Sequence, residues 1–217
     1  MSKVVRFSRC FVARIISILK GLRSQKQKVT LDHETKKDFL WWETFLPVFN
    51  GIELLVPDTV FCSVLGDATL HGGGSWNEAE KEFFSRPFPF HMKSPNVYIH
   101  IKEFLVAIIA TKLWGHLWEG KHVAIYCDNE AVVKTMVHQK PQDQNLQKCL
   151  REMLFLVCKF RFQPIFLRIT TTDNDLADYI SRSHNAKDIV AKFDSRGLTN
   201  MKELLVPDEL FDFTADW

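Results

Sequence analysis

The sequence predicts an α/β protein in which a mixed sheet of five strands carries helices on its faces. Three observations predict it. Short apolar runs rich in β-branched and aromatic residues alternate with longer helical patterns in the order β-β-β-α-β-α-α-β-α. That order requires both hairpin pairing and crossover connections, so the sheet is mixed. The 217 residues are 46% hydrophobic and 12% aromatic, enough to pack a core and inconsistent with global disorder.

The elements follow in order. Residues 8–23 read as an amphipathic helix with Ser8 as cap and Phe11, Ile15, Ile16, Leu19 and Leu22 as its apolar stripe. After a polar linker, Thr30 is placed to cap a second helix that must end before Pro47. Its Phe39, Trp42, Phe45 and Leu46 need a partner surface, and Asn50-Gly51 is a turn signal. Thr59–Leu65 reads as a strand and Gly72-Gly73-Gly74 as a turn, with weaker strands near Ser75–Ala79 and Glu82–Phe88. Val97–Trp118 is a long helical pattern and His122–Cys127 a buried strand. Helices over Asn129–Val137 and Asn145–Lys159, a strand over Phe160–Ile169 and a short helix over Asn174–Ser181 complete the pattern. The last thirty residues show short apolar patches amid acids.

Net charge is only +2, but it is unevenly spread. Residues 1–29 hold eight Lys or Arg and no acid, whereas from Asp188 onward there are seven acids and three bases, 3 − 7 = −4. A basic start suits a polyanion such as nucleic acid, through Arg9, Arg14, Lys20 and Arg23. A solvated helix face explains the same charge equally well. The five cysteines form no Cys-x-x-Cys pair and are odd in number, which fits reduced thiols in an intracellular compartment, cytoplasmic or nuclear. No apolar run reaches the roughly 18–20 residues that span a bilayer, so no membrane association is expected. The basic, acid-free start is also compatible with a mitochondrial transit segment.

Four acids stand where packing alone would not put them. Asp67 follows the first strand, where a buried charge is costly unless paired or holding a metal, although an Asp opening a turn is the plainer alternative. Glu103 has Ile99, Val106, Ala107 and Ala110 as helical neighbours, so it sits in an apolar stripe facing the sheet. There it needs a partner, a raised pKa or a cation, unless it snorkels at a boundary. Asp128 closes a strand just before Asn129, which can cap the next helix, and strand ends are where α/β sheets place ligands. Asp178, taken alone, reads as an exposed i,i+4 ion pair with Arg182. Carboxylates gathered at one point repel each other and call for divalent cations, with all-oxygen ligands suiting Mg²⁺ or Mn²⁺.

Four blocks carry a resemblance to a known family: Gly66-Asp67-Ala68-Thr69, His100–Leu105, Tyr126-Cys127-Asp128-Asn129-Glu130-Ala131-Val132-Val133 and Asn174–Arg182. With the upstream stretch Lys36–Gly51, they resemble the ribonuclease H domain of retroelement reverse transcriptases, closest to DIRS-type elements with tyrosine recombinases. The resemblance implies a ribonuclease H-like fold. It implies that Asp67, Glu103, Asp128 and Asp178 hold two Mg²⁺ or Mn²⁺ ions and cut the RNA strand of an RNA–DNA hybrid. It also overturns the ion-pair reading of Asp178. Asn129 and Arg168 are then expected beside the nucleic acid. It divides the chain into a helical connection segment (1–52), a ribonuclease H-like domain (53–185) and an acidic tail (186–217), with a polymerase domain as partner in cis or trans. Three departures qualify it, the first being Gly66-Asp67-Ala68-Thr69 where such proteins usually carry Thr-Asp-Ala-Ser. The run Arg168-Ile169-Thr170-Thr171-Thr172 stands where such proteins carry His-x-Pro-Gly, and His184 is expected to point away from the metals. No polymerase motif with paired aspartates is present. A catalytically inactive nucleic-acid-binding or scaffold remnant is therefore the alternative.

Overall fold

The computed structural model describes residues 9–49, 61–94, 97–139, 141 and 143–217. Ser8 and the Asn50-Gly51 turn lie outside the described residues. The elements in order are α1 (Arg9–Lys20), α2 (His33–Phe45), β1 (Phe61–Ala68), β2 (Gly72–Asn77), β3 (Glu82–Pro87), α3 (Ile99–Trp114), β4 (His122–Cys127), α4 (Glu130–His138), α5 (Gln144–Phe160), β5 (Gln163–Arg168), α6 (Asp175–Arg182), α7 (Ala186–Ser195) and β6 (Lys202–Glu203).

The strands form one mixed sheet in the order β5-β4-β1-β2-β3-β6. β1, β2 and β3 pair antiparallel, as hairpin connections require. β4 lies parallel to β1 and β5 parallel to β4, each reached through a helical crossover. The mixed sheet with flanking helices is as the sequence predicts, but it has six strands rather than five. The sixth, β6, pairs parallel with the edge of β3. Two residues in an acidic stretch carry no strand periodicity, so this pairing is made by tertiary context alone.

The glycine triplet is a second correction. Gly72, Gly73 and Gly74 are not a turn but the start of β2, and all three are buried. A methyl on Gly73 would lie 2.4 Å from Val106 of α3, and one on Gly74 would lie 2.3 Å from Ile180 of α6. Successive strand residues face opposite sides, so α3 and α6 press on the two faces of the sheet at this point. Only glycine allows both to approach so closely.

The core is largest on the α3 face, where Phe104, Ile108, Leu150, Leu154 and Trp41 are completely buried or nearly so. A smaller cluster on the other face joins Trp76 and Phe83 to Ala177, Ile180, Ile189 and Phe193 of α6 and α7. The N-terminal helices belong to the first. Phe11 stacks on Trp41 at 4.3 Å, and the Trp41 indole donates to the Arg151 carbonyl of α5 at 3.1 Å. Asp32, not Thr30, caps α2, accepting from the Thr35 amide at 2.7 Å. Trp42 and Phe45 find the partner surface they require, while Phe39 and Leu46 stay exposed. The predicted stripe of α1 is only partly used, since Phe11 is buried but Ile16 and Leu19 are exposed. The acidic last residues are built into the fold: Trp217 is buried against Phe155, and Phe211 meets Phe88.

Candidate metal centre

Asp67 lies near the end of β1, paired in register with Gly74, and is buried. Its place follows from strand alternation. Gly66 faces Val106 of α3, so Asp67 faces the α6 side. There the Ser181 hydroxyl donates to its Oδ2 at 2.5 Å. Asn174 fixes the same junction by donating to the Gly66 carbonyl at 3.1 Å. Glu103, also buried, comes from the second turn of α3. Asp128 follows the last residue of β4, and Asn129 caps α4 by accepting from the Ala131 amide at 3.0 Å. Glu103, Cys127 and Asp128 each place one potential ligand atom within 4.8 Å of the others.

The electrostatics join Asp67 and Asp178 to this group. Burial pushes the Asp67 carboxyl up to about 6, against the help of Ser181, and the charges of Asp128 and Asp178 push the same way. Burial pushes Glu103 up to about 9, with repulsion from Asp67 and Asp128 adding to it. Glu103 and Asp128 are therefore neighbours in space, Asp67 acts on Glu103 and feels Asp128, and Asp178 is linked to the group only through Asp67. Each of the other donors is modest. Thr171 donates to Asp128 at 3.2 Å, and the Cys127 thiol lies 3.9 Å from Glu103. Burial, then Glu103, holds the Cys127 thiol well above its ordinary value, which disfavours the thiolate. What remains is a set of carboxylate oxygens whose repulsion Arg182 only partly offsets, which fits a hard divalent cation such as Mg²⁺ or Mn²⁺.

Asp178 differs from the rest. Arg182, one turn on, donates from Nε to both carboxylate oxygens at 2.9 Å and from Nη2 to Oδ1 at 2.6 Å. The i,i+4 ion pair that Asp178 alone suggests is therefore present, and its charge reaches Asp67.

The other predicted residues are dispersed. Arg168 is exposed at the end of β5, opposite Cys127 in register, and its charge reaches Glu130. Arg14 is tied to Asp38 at 2.7 and 2.9 Å and serves the packing of α1 on α2. Lys20 and Arg23 are exposed, and Arg9 opens α1. His184 lies over Gly72 and shares a 2.8 Å hydrogen bond with Ser85, on the β2–β3 side. Burial and Lys93 lower its pKa. The sequence reading did not single out Ser181 or Thr171 as partners of the acids. Ser181 carried a weak signal, lying three residues after Asp178 on the same helix.

No protein-family model matches the chain, and no curated protein matches it in sequence. Solved structures do. Ribonuclease H1 from the archaeon Halobacterium salinarum is 10% identical with a TM-score of 0.41, over 55% of this chain and 93% of that one. The N-terminal ribonuclease H domain of a Mycobacterium tuberculosis protein is 14% identical with a TM-score of 0.42, over 64% and 99%. A foamy viral protease–reverse transcriptase, solved with double-stranded DNA, is 12% identical with a TM-score of 0.32, over 76% and 31%. By its own strand order and directions the fold is α/β, a mixed six-stranded sheet with helices on its faces. Among the described residues no helix is long and apolar enough to cross a membrane.

Proposed function

We propose that this chain hydrolyses the RNA strand of RNA–DNA hybrids as the ribonuclease H part of a retroelement reverse transcriptase of DIRS type. One observation carries the reading: Glu103 and Asp128 bring ligand atoms within 4.8 Å of each other, Asp67 at the neighbouring strand acts on Glu103, and all three have neutral hydrogen-bond donors as partners. Mutual repulsion of that kind is relieved by divalent cations. When bound, two such ions supply an activated water and stabilise the leaving oxygen of a phosphodiester.

The chain's own residues do the positioning. Asp67, Glu103, Asp128 and Asp178 offer the ligand oxygens. Ser181 and Thr171 each occupy one oxygen of an aspartate, Oδ2 in both cases, and so orient the carboxyl groups. In this reading residues 1–52 connect to a polymerase domain, 53–185 form the nuclease and 186–217 an acidic extension. Asn129, Arg168 and the exposed Lys20 and Arg23 are set toward the nucleic acid.

The deciding experiment is cleavage of an end-labelled RNA–DNA hybrid by the purified chain in Mg²⁺ and in Mn²⁺, with EDTA as control. Metal-dependent internal cuts in the RNA strand support the proposal. Tight hybrid binding without cuts in either metal favours the inactive remnant, which the hold of Arg182 on Asp178 would also suit.

A further inference from the structure

The partner of Asp178 is unlike those of the other three acids. Asp67 is met by a hydroxyl, Asp128 by a hydroxyl, and Glu103 by a thiol and the Ala68 amide. Among the described residues Asp178 alone of the four is gripped by a full positive charge, through three contacts that use both of its oxygens. The pair sits at the rim. The Arg182 side chain is 66% exposed and Asp178 30%. A guanidinium that grips a carboxylate bidentately grips a phosphate by the same geometry. Its fork is therefore free to exchange one anion for another without leaving water. The charge of Arg182 also acts on Asp67, so removing or moving it changes the field over more than its own partner.

We propose that Arg182 is the resident counter-cation of Asp178 and passes to a substrate phosphate when a divalent cation takes that carboxylate. Metal and nucleic acid then bind with positive coupling through one side chain. The proposal rests on the four-carboxylate reading above and adds a role that reading does not need. A plain i,i+4 pair would only hold the last turn of α6. The exchange predicts more, because a ligand that frees Arg182 must strengthen whatever Arg182 binds next, and the coupling is reciprocal.

The test uses the full chain and Arg182→Gln. Mn²⁺ affinity is measured by calorimetry, and affinity for a hybrid with a 2′-O-methyl RNA strand is measured by fluorescence anisotropy in Mn²⁺ and in EDTA. Arg182→Gln should bind Mn²⁺ about two- to five-fold more tightly, the size of effect an exposed ion pair exerts. It should also lose most of the gain in hybrid affinity that Mn²⁺ gives the parent. Arg182→Lys, which keeps the charge but not the fork, should fall between the two. Unchanged or weaker Mn²⁺ binding in Arg182→Gln, or an undiminished Mn²⁺ gain in hybrid affinity, overturns the proposal. A parent chain that binds no Mn²⁺ removes the four-carboxylate reading itself, and this proposal with it.

Discussion

The molecule buries acids in two regions and treats them in opposite ways. On the helical side, Asp38 of α2 is fully buried and accepts from Arg14 of α1 at 2.7 Å and from Arg151 of α5 at 2.8 Å. Glu34 completes the group by accepting from Arg151 at 3.0 Å. Nearby, Glu152 is also fully buried and accepts from Lys112, the Thr214 amide and hydroxyl, and the Trp217 indole. At the sheet end, Asp67 and Glu103 are almost as deeply buried but face other acids and neutral donors. Burial costs a carboxylate its hydration in both places. In the first, cations from the chain replace that hydration and lock α1, α2 and the C-terminal residues onto α3 and α5. In the second, the replacement is left to come from outside. A buried acid paired by its own chain fixes structure, while one left among its own kind is the candidate ligand site.

The largest effect should come from breaking the paired region. Asp38→Asn leaves Arg151, which is 1% exposed, without its fully buried ionic partner and with only the partly exposed Glu34. Removing one member of a buried pair costs about 3–5 kcal/mol. Urea denaturation should show a loss of that size, and a change near zero would mean that water already reaches the group. The mirror-image change is Asp128→Asn. It should lower hybrid cleavage by more than about 100-fold, the upper end for residues one step removed from a metal ligand. Stability in EDTA should stay level or rise, because the change removes charge from a repulsive cluster. Cleavage at the parent rate would show that Asp128 is not a ligand.

How much of this contrast the sequence displays depends on what kind of signal each residue leaves. The sheet and its crossovers are legible because alternation and helical periodicity are local. His122–Cys127 has the same limits as strand β4 in the structure. Glu103 is legible for the same reason, as a charge inside an apolar stripe. The glycine triplet misleads because a turn and a doubly pressed strand both call for glycine, and only Val106 and Ile180, 33 and 106 residues away from Gly73 and Gly74, decide between them. Strand β6 and the seat of Trp217 depend wholly on distant partners. Asp38 and Arg151 are 113 residues apart, and neither leaves a trace in its own neighbourhood.

The unpaired region should also respond to pH in a way that metal reverses. The Glu103 carboxyl rises from 4.5 to about 9 on folding, and Asp67 from 3.8 to about 6. Between those values the folded chain binds more protons than the unfolded chain. Their contribution to stability is therefore complete at low pH and lost as pH rises to about 9. Bound Mn²⁺ favours the ionised carboxylates and should reverse the slope. Melting temperatures from pH 5 to 9, in EDTA and in Mn²⁺, compare the two. Glu103→Gln isolates the group, since its difference from the parent in EDTA should change with pH. A difference that stays flat over this range would show that Glu103 is ionised throughout.

The smallest effect lies within α1 and its end, where the comparison can be repeated among bases. Arg14 and Lys20 belong to one helix and Arg23 to the turn beyond it, yet Arg14 is held by Asp38 while Lys20 and Arg23 are exposed. If pairing decides role, Arg14→Gln should act on the fold and the other two on nucleic-acid binding. Each exposed base that meets a phosphate adds about one to the slope of log affinity against log salt. Lys20→Gln and Arg23→Gln should together flatten that slope for a hybrid by about two, weaken binding at low salt and leave the urea midpoint in place. Arg14→Gln should lower the midpoint and leave the slope alone, because its charge is already matched within the chain. An unchanged slope in the Lys20 and Arg23 variants would make the basic start a solvated face. A flattened slope in Arg14→Gln would mean that the Asp38 pair opens when nucleic acid arrives.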